Sequence, residues 1–302
     1  MIGARTFLGI PEEYSRLERA RFVVLPVPWE RPNPHTTGTR YGPSALIAAS
    51  HHVEWFDEEL GFEPWKAGIH TLPPPAMKDD PEDLAKSLAD VVEPHLRAGR
   101  LPVTVGGDHA ITDGPLSAVR RVHPKVSVFH IEAHCDLRDG SEGDGTSHAF
   151  AAKRMAAVAE KVVQVGVRSV SGEARGNAKR VRTFLARKHR DVEGLIPRVL
   201  EELGETVYLS VGLDGLDPSV VPGVAAPVPG GLGWWETLDL LRAVIRGKNV
   251  VAADVVDLCP LAGTGISELA AARLVYRMMG YVVHREAQKD TVRRTVKSKE
   301  KK

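Results

Sequence analysis

The stretch VSVFHIEAHCD, residues 126–136, decides the fold class of this chain. Its first part, 126–131, is a short β-branched run that does not alternate between apolar and polar residues. Strands that are covered on both faces have this pattern, which is typical of the parallel sheets of α/β proteins. The run ends abruptly in acids and histidines, so this strand is predicted to carry polar side chains just past its carboxyl end.

Other parts of the chain repeat the same pattern. Five further apolar runs are predicted to be buried strands, at 22–27, 101–105, 161–167, 206–213 and 249–256. Helical patterns fall between them, at 80–99 and at about 111–122, 149–160, 193–203, 235–246 and 267–279. The first helix begins with Asp80 as its N-cap and Pro81 in its first turn, and it closes at Gly99. Alternation of strands and helices predicts βαβ units and a parallel sheet.

Composition limits the possible classes of protein. The chain has 302 residues, 43% of them hydrophobic and 26% charged, and its formal net charge is +1. These values fit one large α/β domain and indicate no nucleic-acid or membrane partner. No signal peptide or membrane span is expected, because no uncharged apolar stretch is long enough. Cys135 and Cys259 lie far apart, so a reducing cytoplasm is predicted, with both thiols packed in the protein.

The C-terminal segment differs from the rest of the chain. Residues 285–302 are highly charged, mostly basic and without an apolar stripe. We therefore predict a single domain over 1–284, followed by a charged, disordered tail over 285–302. A weak polyanion-binding or interface arm is the alternative for this tail.

Polar side chains cluster where four predicted strands end. These residues are Asp108 and His109 after 101–105, Glu132, His134 and Asp136 after 126–131, Asp214 and Asp217 after 206–213, and Asp257 after 249–256. In an open parallel sheet, ligands bind beyond the carboxyl ends of the strands. Histidine nitrogens and carboxylate oxygens suit divalent cations such as Mn²⁺, Zn²⁺ or Fe²⁺. Capping, turns or packing explain each cluster taken singly, but their joint placement favours a metal site.

The segment after the strand at 126–131 looks like half of this site. Glu132, His134 and Asp136 alternate, and alternate side chains of an extended segment share one face. Cys135 lies between them and is predicted to point away from Glu132 and His134. The other histidines, His130 among them, have no constellation around them and are assigned no metal role.

The chain resembles the ureohydrolase family of arginase and agmatinase, and agmatinase more closely, over about residues 20–283. The motifs that carry this resemblance are NPHTTGTRYGPSALIAAS (33–50), GGDHAIT (106–112), HIEAHCDLRD (130–139), GTSHAF (145–150), VGVRS (165–169), LSVGLDGLDPSVVPG (209–223), PVPGGL (227–232) and DVVDLCP (254–260). The resemblance implies an arginase-like three-layer α/β/α fold around a mainly parallel sheet. It also implies two Mn²⁺ ions, a metal-bridging hydroxide that attacks a guanidinium carbon to release urea, and assembly as a trimer or hexamer.

The resemblance assigns roles to individual residues. The metal ligands that it implies are His109, Glu132, His134, Asp136 and Asp214. Asp257 matches the acid that grips the guanidinium, and His148 lies near a position with a proton-shuttle role.

Three acidic positions depart from the family pattern. Glu132 and Gly212 stand where the family has the two aspartates that bridge the metals, and Asp257 stands in place of a glutamate. Glycine has no ligand atom, and the extra methylene of Glu132 displaces its carboxylate. Misplacing a catalytic group by about 1 Å costs on the order of a hundredfold in rate. We therefore expect a weakened metal site that holds one or two Mn²⁺ ions.

Two functions remain open at this point. In the first, the chain is an agmatinase-like, metal-dependent hydrolase of polyamine metabolism that releases urea from a small linear amidine or guanidino compound. In the second, it is a catalytically degenerate family member that acts as a binding or assembly subunit. Since several ligand positions survive, together with His148, the first is favoured. Dinucleotide-binding and P-loop motifs are absent from the sequence, which disfavours a nucleotide-binding function.

Overall fold

The structure is a computed structural model of the chain. It describes residues 6–31, 37–137, 151–172 and 179–299, with side chains up to residue 289. Among these residues no helix is both long and apolar enough to cross a lipid bilayer.

One sheet of eight strands forms the centre of the molecule. The strands are β1 (Phe22–Val27), β2 (Ile69–Thr71), β3 (Leu101–Gly106), β4 (Ser127–Ile131), β5 (Lys161–Val167), β6 (Val181–Leu185), β7 (Thr206–Gly212) and β8 (Asn249–Val256). Their order is β2-β1-β3-β8-β7-β4-β5-β6, and every neighbouring pair is parallel. The predicted parallel α/β class is therefore confirmed. The two edge strands, β2 and β6, were not predicted, since β2 has only three residues and β6 mixes buried and exposed positions.

Helices cover both faces of the sheet. They are α1 (Glu12–Ser15), α2 (Gly42–Ser50), α3 (Pro81–Arg97), α4 (Asp113–Val122), α5 (Ala151–Val158), α6 (Val192–Glu202), α7 (Trp234–Gly247) and α8 (Ile266–Lys299). One apolar core joins the sheet to α2, α6, α7 and α8, and a second core joins it to α3, α4 and α5. This arrangement confirms three layers with the sheet in the middle.

Helix α3 has the ends that the sequence predicts. The carboxylate of Asp80 accepts hydrogen bonds from the backbone N–H groups of Glu82 and Asp83, both at 2.9 Å. Gly99 follows the helix with a φ of 74°, a left-handed conformation that glycine adopts without strain.

In the structure the backbone of residues 285–299 continues helix α8 to Lys299, and the domain boundary at 284 with a charged, disordered tail stays a prediction. The tail contains neither glycine nor proline. Once a packed helix is nucleated, adding one more residue with good helix propensity is favourable even without an apolar stripe. The composition of this segment is therefore compatible with a solvated helix as well as with disorder.

The sheet order explains how separate segments come to one place. Strands β3, β8, β7 and β4 are consecutive neighbours. Ile131 of β4 pairs with Val211 of β7, and Val255 of β8 pairs with both Val211 and Val105 of β3. Because the strands are parallel, the polar residues that follow them emerge side by side at one edge of the sheet.

Candidate metal centre

The four strand ends enclose a pocket of about 50 Å³. Its lining residues are Glu30, Arg31, Thr39, Asp108, His109, Glu132, His134, Asp136, Asp214, Ala225, Ala226 and Asp257. The structure thus brings together all five predicted metal ligands and Asp257. His148 lies outside the described residues.

Glu132 stands at the centre of the pocket, with only 1% of its surface exposed. Its Oε1 lies 2.9 Å from Nδ1 of His134 and accepts a hydrogen bond from the backbone N–H of the same residue at 3.0 Å. Its Oε2 lies 2.9 Å from Nδ1 of His109. One carboxylate therefore faces two histidines, one on each side.

Two groups of potential ligand atoms meet at this carboxylate. His109, His130 and Glu132 form one group, and Glu132, His134 and Asp214 form the other. Within each group the ligand atoms lie within 4.8 Å of one another. Glu132 belongs to both, which is the arrangement that a carboxylate shared between two cations requires. Asp136 lines the same pocket but belongs to neither group.

A buried hydrogen-bond network orients the ring of His109. Its Nε2 lies 2.9 Å from Oγ of Ser210, and that hydroxyl donates to Asp254 at 2.8 Å. Thr112 and Tyr208 also donate to Asp254, at 2.8 and 2.6 Å. Metal-binding histidines are commonly held in this way through the ring nitrogen that does not bind the metal. Sequence reasoning missed Asp254, although an acid inside an apolar strand must have buried partners.

The other ring nitrogen of His109 supplies a test of whether the site fits a metal ion. Nδ1 is buried and lies 2.9 Å from Glu132 and 3.1 Å from Asp257. Despite these short distances, Nδ1 has no hydrogen-bond partner of proper geometry among the described residues. Buried nitrogens are rarely left in this state. With its carboxylate neighbours, this nitrogen forms a donor set that suits a borderline divalent cation.

His130 belongs to the site, contrary to the sequence interpretation. It is fully buried, its Nε2 lies 3.9 Å from Oε2 of Glu132, and its ring packs edge-on against that of His109 at 4.8 Å. Burial and the neighbouring His109 lower its pKa to about 3, so its ring is neutral. Its position two residues before Glu132 was the available signal, because such residues share a face of a strand.

Protons on the histidines balance the charge of the acids in the pocket. Burial alone lowers the pKa of His134, but the carboxylates of Asp214 and Glu132 outweigh it and raise that pKa to about 11. The carboxylates of Asp257 and Glu132 likewise raise the pKa of His109 well above its usual value. Burial favours a neutral Glu132, yet His109 and His134 keep its pKa well below the usual range. Burial and the charge of Glu132 raise the pKa of Asp214.

Two acids of the pocket have strained backbones. Asp136 has a φ of 50° and Asp257 a φ of 69°, and Leu8 is the one other non-glycine residue with positive φ in the described part of the chain. Aspartate tolerates this conformation better than most side chains, but at some cost in energy. Strain of this kind concentrates at functional sites, where the surrounding structure fixes it.

The two cysteines take no part in the ligand groups of the described residues. Cys135 is buried in the apolar core below α3, α4 and α5, and burial raises its pKa to about 11. It therefore points away from the pocket, as predicted. Cys259 is only partly buried, and its thiol lies 3.6 Å from the carbonyl oxygen of Thr37.

The sequence of this chain is similar to a known family and to named proteins along most of its length. A family model described as the arginase family matches residues 20–280. The N(1)-aminopropylagmatine ureohydrolase of Thermus thermophilus is 39% identical over 272 residues, which cover 89% of this chain and 92% of that protein. The protein of the same name from Synechocystis is 34% identical over 291 residues, covering 92% and 94%.

A solved structure has the same fold. The agmatine ureohydrolase of Thermoplasma volcanium matches with a TM-score of 0.86 and covers 95% of this chain and 97% of its own. Its sequence is 23% identical, so this match supports the fold and nothing finer.

Proposed function

Because this chain belongs to the arginase family, we propose that it is a metal-dependent hydrolase that releases urea from a linear guanidino compound. The observation that carries the proposal is the carboxylate of Glu132, which faces His109 and His134 and belongs to both ligand groups. The degenerate alternative lacks support, since the relatives matched above carry the names of ureohydrolases.

We propose His109, Glu132, His134, Asp136 and Asp214 as the residues that hold the metal, with Mn²⁺ as the ion. A divalent cation held there would supply a water acidic enough to serve as a nucleophile near neutral pH. Glu132 and Asp214 offset the charge of the cation in a pocket that is largely shielded from solvent.

The remaining residues act on the substrate. The carboxylate of Asp257 lines the pocket and lies 3.1 Å from His109. Carboxylates bind guanidinium groups through charge-assisted hydrogen bonds, so Asp257 is suited to orient the substrate carbon toward the nucleophile. We assign proton delivery to His148 on the resemblance of its motif alone.

The names of the relatives favour one substrate. Proteins named N(1)-aminopropylagmatine ureohydrolase match at 39% and 34% identity, whereas the agmatinase of Photorhabdus laumondii matches at 31%. We therefore propose N(1)-aminopropylagmatine as the preferred substrate, ahead of agmatine. A cytoplasmic homo-oligomer, a trimer or hexamer, also remains a proposal; the exposed side chains of Phe56 and Ile266 on the surface are compatible with subunit contacts.

The test is urea release by protein purified with Mn²⁺. The assay compares N(1)-aminopropylagmatine, agmatine, 4-guanidinobutyrate and arginine, before and after chelation. We expect turnover that is highest with the first compound, that falls at least about a hundredfold on chelation and that returns with Mn²⁺. The His134→Ala variant should lose activity, and the exposed Glu205→Gln variant should keep it. A metal-loaded protein that releases urea from none of the four compounds would contradict the proposal.

A further inference from the structure

We propose that Glu132 and Gly212 form one compensating pair. The longer side chain of Glu132 occupies the room that the absent side chain of Gly212 leaves, and its carboxylate serves as the one shared by both ligand groups. The spatial part of this inference stands on geometry alone, and its consequence for metal binding rests on the proposed function.

The backbone of Gly212 does not require glycine. Its φ of −72° and ψ of 120° lie in the region that every L-amino acid adopts. Glycine is usually needed where φ is positive or where another backbone approaches closely. Neither reason applies here, because the atoms that a side chain would meet first belong to other side chains.

Glu132 explains the glycine. A Cβ atom added to Gly212 would come closer than 3.0 Å to Oε2 of Glu132, a distance that real Cβ atoms do not show. It would also come within 3.1 Å of Oδ1 of Asp214 and of Cε1 of His109. The site that a side chain at position 212 would fill is therefore already taken by the carboxylate of Glu132.

This carboxylate is not free to move aside. It is buried and is contacted by Nδ1 of His109, by Nδ1 of His134 and by the backbone N–H of His134. Displacing it would break contacts with both histidines and leave a charge without partners, which is costly in a buried site.

The pairing of β4 with β7 brings Glu132 close enough to Gly212 to fill the room beside it. Ile131 of β4 pairs with Val211 of β7, so Glu132, which follows β4, lies at the same level as Gly212, the last residue of β7. Neighbouring strands lie about 4.8 Å apart, a gap that one extra methylene helps to bridge. The sequence alone indicated that the two departures from the family pattern are separate losses. The geometry instead links them to each other. The expected displacement of Glu132 is the feature that fills the place of the missing carboxylate.

The first test needs no metal and no substrate. Thermal unfolding in chelator is compared for wild type, Gly212→Ala, Glu132→Asp and the double variant Glu132→Asp/Gly212→Ala. Overpacking beside Glu132 should lower the Tm of Gly212→Ala by about 4 °C. In the Glu132→Asp background the same alanine should lower the Tm by less than about 1 °C, because the shorter acid leaves room. Gly265→Ala is the matched control, since nothing lies within 4 Å of its added Cβ.

The second test measures Mn²⁺ affinity by calorimetry. Gly212→Asp alone should weaken binding at least about tenfold, because the new side chain collides with Glu132. The double variant Glu132→Asp/Gly212→Asp should bind Mn²⁺ more tightly than wild type, since it places an acid at each position without the clash. If the changes in Tm and in Mn²⁺ affinity of each double variant equal the sums of the changes in its single variants, the proposed coupling of Glu132 and Gly212 is overturned.

The two tests separate this inference from the proposed function. Coupled changes in Tm without Mn²⁺ binding or urea release would support the pair and reject the function. Additive changes in a protein that binds Mn²⁺ and releases urea would reject the pair and leave the function standing.

Discussion

Two clusters of acids in this chain have their charge balanced in opposite ways. Asp57, Glu58 and Glu59 surround Arg277 of helix α8, whose side chain is 2% exposed and donates to all three. The distances from Arg277 are 2.7 Å to Asp57 and 3.2 Å to Glu59. In the pocket, by contrast, Glu132 and Asp214 face nitrogens of histidine.

The kind of cation explains what each cluster is for. A guanidinium keeps its proton in proteins, so the charge of Arg277 is a permanent part of the fold. The charges on His109 and His134 are protons, which can leave when a metal ion arrives, and metal binding at such sites releases protons. The first cluster ties helix α8 to the segment 57–59, whereas the second is prepared for a cation from outside.

Replacing the permanent cation should produce the largest effect. The substitution Arg277→Met leaves the buried Asp57 without its counter-charge. Breaking one side of a buried pair costs about 3–5 kcal/mol, and we expect that loss in the free energy of unfolding measured with guanidinium chloride.

The control for this prediction lies one helical turn away. Arg273 also pairs with Glu58, but its side chain is 46% exposed. Arg273→Met should therefore cost no more than about 1 kcal/mol. Equal losses at the two positions would mean that burial of the Arg277 cluster is not what stabilises helix α8.

Neutralising one acid in each cluster should move stability in opposite directions in metal-free protein at pH 7. Burial and Glu132 raise the pKa of Asp214, so its ionised form costs stability as pH rises above the usual carboxyl range. Burial alone raises the pKa of Glu59, but hydrogen bonds from Arg242 and Tyr281 outweigh it and lower that pKa. The ionised form of Glu59 therefore adds stability, which is lost as pH falls through its folded pKa.

Asp214→Asn should thus raise the free energy of unfolding by about 1–2 kcal/mol in chelator, while weakening Mn²⁺ binding. Glu59→Gln should lower it by about 1 kcal/mol, an amount limited by partial solvent screening. Chemical denaturation of both variants in chelator measures these changes. If Asp214→Asn instead loses stability, groups of the fold already compensate the charge of the Asp214 carboxylate, as Arg277 does for the acids around it.

The sequence predicted the fold where burial leaves a pattern. Strands β1, β3, β4, β5, β7 and β8 have largely buried residues, so their runs were apolar and readable. Strand β6 lies at the edge of the sheet and includes the exposed Arg182, which hid it. The charge of the segment 285–302 is compatible both with disorder and with a solvated helix, so charge alone does not decide between them.

The sequence predicted which segments meet at the site, but not the relations that depend on distances between side chains. Because parallel strands end at one edge of a sheet, residues from four segments were predicted to meet there. Alternation along β4 would also have placed His130 at the site. The relation between Glu132 and Gly212 was out of reach, because the residues are 80 positions apart and each departure alone looks like a loss. Their spacing across β4 and β7 depends on strand order, which no single motif encodes.

Asp217, an acid held by N–H and O–H groups instead of a cation, gives the smallest predicted effect. It accepts hydrogen bonds from Ser219 and from the backbone N–H groups of Gly230 and Gly231, at 2.7 to 3.0 Å. The hydroxyl and backbone of Ser219, with the glycine N–H groups, lower its pKa to about 2. Because this pKa is depressed, the stability that the carboxylate adds is complete above about pH 4 and is lost as pH falls toward 2.

Asp217→Asn should therefore lower the free energy of unfolding at pH 7 by less than about 1 kcal/mol, since solvent screens the partly exposed group. The difference from wild type should shrink to nothing as the pH of the melt is lowered through that window. Ser219→Ala, which removes the hydroxyl that contributes most to the depressed pKa and keeps the acid, should weaken the wild-type dependence on pH without abolishing it. A difference between Asp217→Asn and wild type that stays constant across this range would mean that shape, and not charge, fastens the loop to residues 230–231.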